Sequence, residues 1–73
     1  PGFVDTPLGQ AAVDAVQGRF HLTREAALAQ VVADNPMKRL IDPAEVVSVA
    51  LFLASRGASM VNGHALSVSG GEV

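Results

Sequence analysis

One segment of the chain, His64-Ala65-Leu66-Ser67-Val68-Ser69, alternates large apolar residues with small or polar ones, as a strand with one packed face does. A lone strand leaves its backbone donors and acceptors without a neighbour, so the sheet it would join is not encoded in these 73 residues. The opposite end of the chain repeats the point. Pro1-Gly2-Phe3-Val4-Asp5-Thr6-Pro7 has the chemistry of a turn and binding loop that normally follows a strand, and no strand pattern precedes it. Pro1 fixes φ, Gly2 lets the backbone turn or a ligand approach, and Thr6 offers a hydroxyl ahead of the helix-starting Pro7. The expectation is a piece of a larger fold, incomplete by itself.

Size and composition agree. A domain this small buries roughly 60–65% of its unfolded surface and is marginal without reinforcement. Cysteine is absent, and His21 and His64 make no zinc spacing, so neither disulfides nor a metal is expected to supply it. Hydrophobic residues make up 49% of the chain, yet its three aromatics are all Phe. Small aliphatics at that density predict close-packed helices whose outer faces are also covered. The basic residues Arg19, Arg24, Lys38, Arg39 and Arg56 are scattered and the net charge is −2, which excludes a phosphate-neutralising stripe and argues against nucleic acid. The apolar run Val46–Ala54 is about half the ~20 residues of a membrane span, and no signal peptide opens the chain. A soluble, cytoplasmic protein is expected.

Three helices are predicted. Pro7 opens the first, over about residues 7–17, with Leu8, Ala11, Ala12, Ala15 and Val16 on its apolar face, Thr6 able to cap it, and Gly18 as its stop. Thr23 caps the second, with Glu25 in its first turn and Ala27, Leu28, Val31 and Val32 as its face; Asn35-Pro36 stops it near Asp34 or Asn35. Asp42-Pro43-Ala44-Glu45 reads as an N-cap, a first-turn proline and a capping-box glutamate, starting a third helix at Pro43. Its apolar residues point in nearly every direction, so burial on more than one side is expected, with the end before Gly57 as C′ residue. Asn62-Gly63 and Gly70-Gly71 read as turns around the single strand.

Five signals occur in order along the whole chain: Pro-Gly-x-Val-x-Thr-Pro at 1–7, a helical segment, Arg-x-x-x-Pro-x-Glu-Val at 39–46, Phe-Leu-Ala-Ser at 52–55, and Gly-x-x-Leu-x-Val-x-Gly-Gly at 63–71. Together they resemble the C-terminal part of a short-chain dehydrogenase/reductase. The resemblance implies an α/β fold, the last portion of a Rossmann-type doubly wound parallel sheet, divided into a cofactor loop (1–7), a substrate lid (8–35), an interface helix (43–55) and a last strand (64–69). It implies NAD or NADP as cofactor. Backbone groups of Val4 would bond the nicotinamide carboxamide, the Thr6 hydroxyl would reach the carboxamide or pyrophosphate, and Pro1 and Gly2 would wall the ring. In the lid, Leu8, Gln10 and His21 are the candidates for substrate contact. Its length is similar to that of the 3-hydroxybutyrate dehydrogenase branch, although Ala12 stands where that branch tends to carry an amide. Two further positions depart from the family pattern: Ser69 replaces the usual Asp before Gly70-Gly71, and Asn62 stands where Thr is common.

The family's phosphate-binding glycine turn, its Asn, Ser and Tyr-x-x-x-Lys would lie upstream, and this chain has no Tyr. No catalytic residue is therefore expected here, and the 73 residues alone are predicted to be inactive. The implied partners are the N-terminal part of the same fold, a small-molecule substrate and further copies in a dimer or tetramer, for which the third helix and last strand would build a two-fold contact. Packing within one subunit accounts equally well for the apolar third helix. A reading from another class is a non-enzymatic helical module whose apolar faces bind a partner.

Overall fold

Side-chain caps and prolines start the helices where the sequence places them. The computed structural model describes residues 1–72. Helix α1 spans Pro7–Phe20, α2 Arg24–Val31 and α3 Pro43–Leu53, followed by a single 3-10 turn, Arg56–Ala58. Thr6 is extended, and its hydroxyl accepts from the Gly9 N–H at 3.2 Å. The Thr23 hydroxyl accepts from the Ala26 N–H at 3.2 Å. At α3, Asp42 accepts from the Ala44 N–H and Glu45 accepts from the Asp42 N–H, both at 2.9 Å, the reciprocal arrangement of a capping box.

The helix ends correct the sequence reading. α1 runs through Gly18 to Phe20, because a glycine costs only ~1 kcal/mol in a helix and does not by itself stop one. The stop is His21, left-handed at φ 53°; its N–H and that of Leu22 both donate to the Gln17 carbonyl. α2 ends at Val31, short of Asp34. Pro36 disfavours the α conformation at Asn35, and the chain tightens before it, with Ala33 N–H bonding the Gln30 carbonyl and Asn35 N–H that of Val32. Gly57 is not a left-handed C′ residue but lies inside the 3-10 turn. Ser55 instead satisfies the end of α3, donating from both its N–H and its hydroxyl to the Phe52 carbonyl.

Packing differs more. α1 and α2 lie against each other, and their buried residues are Gly9, Val13 and Ala27, with Val32 just beyond. Of the face expected from Leu8, Ala11, Ala12, Ala15 and Val16, Ala12 and Val16 are half-buried and the other three are exposed, Leu8 at 83%. The buried positions of α1 are instead Gly9 and Val13, four residues apart on one row, and the close neighbour at Gly9 is the Val4–Thr6 loop. α3 has no buried residue; Val47, Leu51, Phe52 and Leu53 are all exposed, against the expectation of burial on several sides. Among the described residues they are left uncovered.

The segment 64–69 forms no strand, and among the described residues the only β-pairing is an isolated parallel bridge, Val4 to Ile41. The α/β sheet of the sequence reading is thus absent from the described residues, for the reason that made a lone strand untenable: no neighbouring strand supplies its ladder. Gly63, Gly70 and Gly71 do take positive φ at the expected turns. The chain measures 49 × 22 × 16 Å with a radius of gyration of 14.9 Å, against about 11 Å for a compact chain of this length. No helix among the described residues is long and apolar enough to cross a membrane.

Candidate functional site

The Pro1–Thr6 loop is fixed by residues far along the chain. Ile41 N–H donates to the Phe3 carbonyl at 2.9 Å, and Asp5 N–H donates to the Ile41 carbonyl at 2.7 Å. In such a parallel pairing Val4, between them, turns both its backbone groups away from Ile41. Its carbonyl accepts from the Thr6 N–H at 2.8 Å and lies against the first turn of α1. Only glycine permits that approach, since a Cβ at Gly9 would sit 1.8 Å from the Val4 oxygen. The Val4 N–H has no acceptor among the described residues. Gly2 N–H donates to the Val68 carbonyl at 3.3 Å, tying the loop to the C-terminal segment.

This loop forms one wall of an open cleft of about 790 Å³. Pro1, Gly2, Phe3, Val4 and Thr6 line it from the loop, Leu8, Gly9, Ala11 and Ala12 from α1, and Pro43, Val46 and Val47 from α3. Thr6 carries the only polar side chain among them. Its oxygen caps α1, while its hydroxyl makes only a long 3.4 Å contact to the Val4 carbonyl, so it retains a proton to donate.

The four cofactor-loop candidates, Pro1, Gly2, Val4 and Thr6, therefore come together, joined by Leu8. Gln10 and His21 do not line the cleft. Gln10 donates from Nε2 to Asp5 Oδ1 at 2.8 Å and accepts from Arg24 at Oε1. His21 caps the far end of α1 and is exposed. Sequence reasoning did not assign Phe3, Ala11, Ala12, Pro43, Val46 and Val47 to the site. Ala11 and Ala12, three and four residues beyond Leu8, were findable from helical spacing; the α3 residues needed the tertiary fold.

At the base of α3, Arg39 grips Glu45 with two bonds, Nη1 to Oε1 at 2.6 Å and Nη2 to Oε2 at 2.9 Å. The Arg39 hydrogen bond and, next, the Asp42 N–H lower the Glu45 carboxyl to about 2, and the same pairing raises the Arg39 guanidinium. This anchors α3 beside Ile41, the residue that holds the loop.

A family model described as enoyl-(acyl carrier protein) reductase matches residues 1–72. Among curated proteins, the chain is 41% identical over 71 residues to the 3-oxoacyl-[acyl-carrier-protein] reductase FabG of Vibrio cholerae, covering 97% of this chain and 25% of that protein. It is 33% identical over 73 residues to the NADPH-dependent reductase BacG of Bacillus subtilis, 100% of this chain and 28% of the relative. To the short-chain dehydrogenase fogB of Aspergillus ruber it is 35% identical over 71 residues, 97% and 23%. The chain thus spans about a quarter of the length of the curated relatives it matches.

Proposed function

Because the chain belongs to the short-chain dehydrogenase/reductase family, we propose that it supplies the nicotinamide-side loop and the substrate lid of an NAD(P)-dependent oxidoreductase. The observation that carries this reading is the Val4 N–H, held by the bridge to Ile41 and left without an acceptor beside an apolar cleft. A nicotinamide presents a flat apolar ring and a carboxamide with one acceptor oxygen and two donors. Val4 N–H matches the oxygen, and Pro1, Gly2 and Leu8 supply wall for the ring. Thr6 can donate to the carboxamide or a phosphate while still capping α1. When bound, the cofactor supplies or takes the hydride. The α1–α2 pair then covers the site and excludes water.

The proton donor belongs to residues outside this chain, so the 73 residues alone are inactive. The name of the Bacillus relative makes NADPH the first cofactor to try, with NADH second. For substrate, the name of the Vibrio relative and the 3-hydroxy acid implied by the lid share one chemistry, an oxygen on the third carbon of an acyl group. A 3-oxoacyl thioester reduced to the 3-hydroxy compound is our reading. The exposed α3 side chains serve packing against the remainder of the fold or another subunit.

The test uses the natural full-length polypeptide carrying this sequence. Nucleotide titration should show NADPH or NADH binding, weakened about three- to ten-fold by Val4→Pro, which removes one hydrogen-bond donor, and little changed by Val4→Ala. Binding of neither nucleotide by the unaltered protein overturns the proposal, as does equal binding by Val4→Pro. The interaction-module reading would be favoured by that first outcome.

A further inference from the structure

Gln10 spends both ends of its amide inside the protein. Its Nε2 donates to Asp5 Oδ1 at 2.8 Å, and its Oε1 accepts from Arg24. A guanidinium only donates and an ionised carboxylate only accepts, so both partners select the same orientation of the amide. Arg24, the first residue of α2, also bonds the Asp14 carboxylate and reaches Gln17 Oε1 at 3.4 Å. Gln10, Asp14 and Gln17 are spaced i, i+4 and i+7, a single row of α1. One guanidinium thus spans two turns of α1 from the start of α2, and Gln10 carries the connection on to Asp5, which stands between Val4 and Thr6 and whose own N–H belongs to the bridge with Ile41.

We propose that Arg24 is a positioning residue: acting through Gln10, it latches the α1–α2 lid to the loop that carries Val4. The effect on cofactor rests on the function proposed above; the latch itself does not. In this arrangement Gln10 serves the site by holding the loop. Three acceptors around one planar fork are a geometry that a lysine ammonium does not reproduce. Arg24 and Asp5 share no bond of their own, so any coupling between them must pass through Gln10 or the helix that bears it.

A double-mutant cycle of Arg24→Ala and Asp5→Ala in the full-length protein tests this, read by amide hydrogen exchange of α1 and α2 without nucleotide and by the NADPH dissociation constant. Each single variant should speed exchange of lid amides and weaken NADPH binding by about two- to five-fold, the scale of an exposed charged contact. The double variant should be no worse than the singles, and Arg24→Lys should not restore the latch. Effects that multiply in the double variant overturn the proposal, as does Arg24→Lys behaving like the unaltered protein. If no nicotinamide nucleotide binds the unaltered protein, the functional reading falls, and the exchange cycle still decides the latch.

Discussion

Replacing Gly9 with alanine sets helix propensity against a steric contact, and the two predict opposite signs. Propensity favours alanine by up to about 1 kcal/mol. The added Cβ, however, would stand 1.8 Å from the Val4 oxygen and 3.0 Å from its carbonyl carbon, both backbone atoms fixed by the Ile41 bridge and the Thr6 N–H. To bring 1.8 Å to the roughly 3.4 Å of ordinary contact, α1 and the loop must separate by about 1.6 Å, a displacement of the kind that costs function well beyond its cost in stability. Overpacking of this sort costs about 1–3 kcal/mol, and the Gly9 N–H also risks its bond to the Thr6 hydroxyl, worth about 1 kcal/mol as a cap. The net is a loss of about 1–3 kcal/mol. Gly18 in the same helix is the control: it is exposed, with no atom within 4 Å of a built Cβ. Gly18→Ala should therefore stabilise by up to about 1 kcal/mol. Thermal unfolding of the full-length variants reads both, at about 2–4 °C per kcal/mol for a domain of 150–250 residues. Opposite shifts are expected, with weakened nucleotide binding in Gly9→Ala alone. Should Gly9→Ala melt as high as Gly18→Ala, the close packing of α1 on Val4 is refuted.

The Glu45 carboxyl lies lowered to about 2, so its contribution is complete above the ordinary glutamate value near 4.3 and disappears as pH falls through 2. A side-chain NMR titration should place its midpoint near 2 while amide exchange at the start of α3 quickens below pH 4; a midpoint above 4 contradicts the Arg39 pairing. Asn35 is buried and bonds Met37 N–H at 2.7 Å and the Arg39 carbonyl at 3.0 Å. Asn35→Ala should cost about 1–3 kcal/mol in denaturant unfolding, and a change under 0.5 kcal/mol would show that those groups find other partners. Gly70 has φ 67° and would place a Cβ 2.2 Å from Asn35 Oδ1, so Gly70→Ala should destabilise at least as much as Asn35→Ala.

The features legible in the sequence are those whose chemistry is local. Thr6, Thr23 and the Asp42–Glu45 box each act within four residues of the backbone group they satisfy, and each is found where the sequence places it. The loop residues Pro1, Gly2, Val4 and Thr6 are contiguous enough to be grouped without a structure. The buried positions of α1 were not legible, because the pattern of Leu8, Ala11, Ala12, Ala15 and Val16 counts hydrophobicity, whereas Gly9 is buried by the close approach of the Val4 carbonyl and Val13 is the largest fully buried side chain among the described residues. Asn35 reads in sequence only as the residue before Pro36; that its amide is buried against Gly70 depends on two turns meeting. Ile41 likewise reads as part of a connection, and its role exists only because Phe3 and Asp5 come to it.

The same division governs which parts of the molecule hold themselves up. α1 and α2 have each other: a small shared interior around Val13 and Ala27, and a polar seam through Arg24. α3 has its capping box and the Arg39 fork, yet it is 11 residues long, packs among the described residues against the 3-10 turn and neither α1 nor α2, and leaves Leu51 67% exposed. Helices shorter than about 12–15 residues are marginal without packing, so local capping specifies where α3 begins without accounting for its persistence. Its apolar surface, continuous with the cleft through Val46 and Val47, requires a cover. The total accessible surface of 5372 Å², against about 4,200 Å² for a compact protein of this mass, measures the same need. A cover over α3 would press on Pro43 and Val46, and these share the cleft with Val4. The surface that completes the fold would therefore also close the third wall of the site, so stability of α3 and affinity at the loop should rise and fall together.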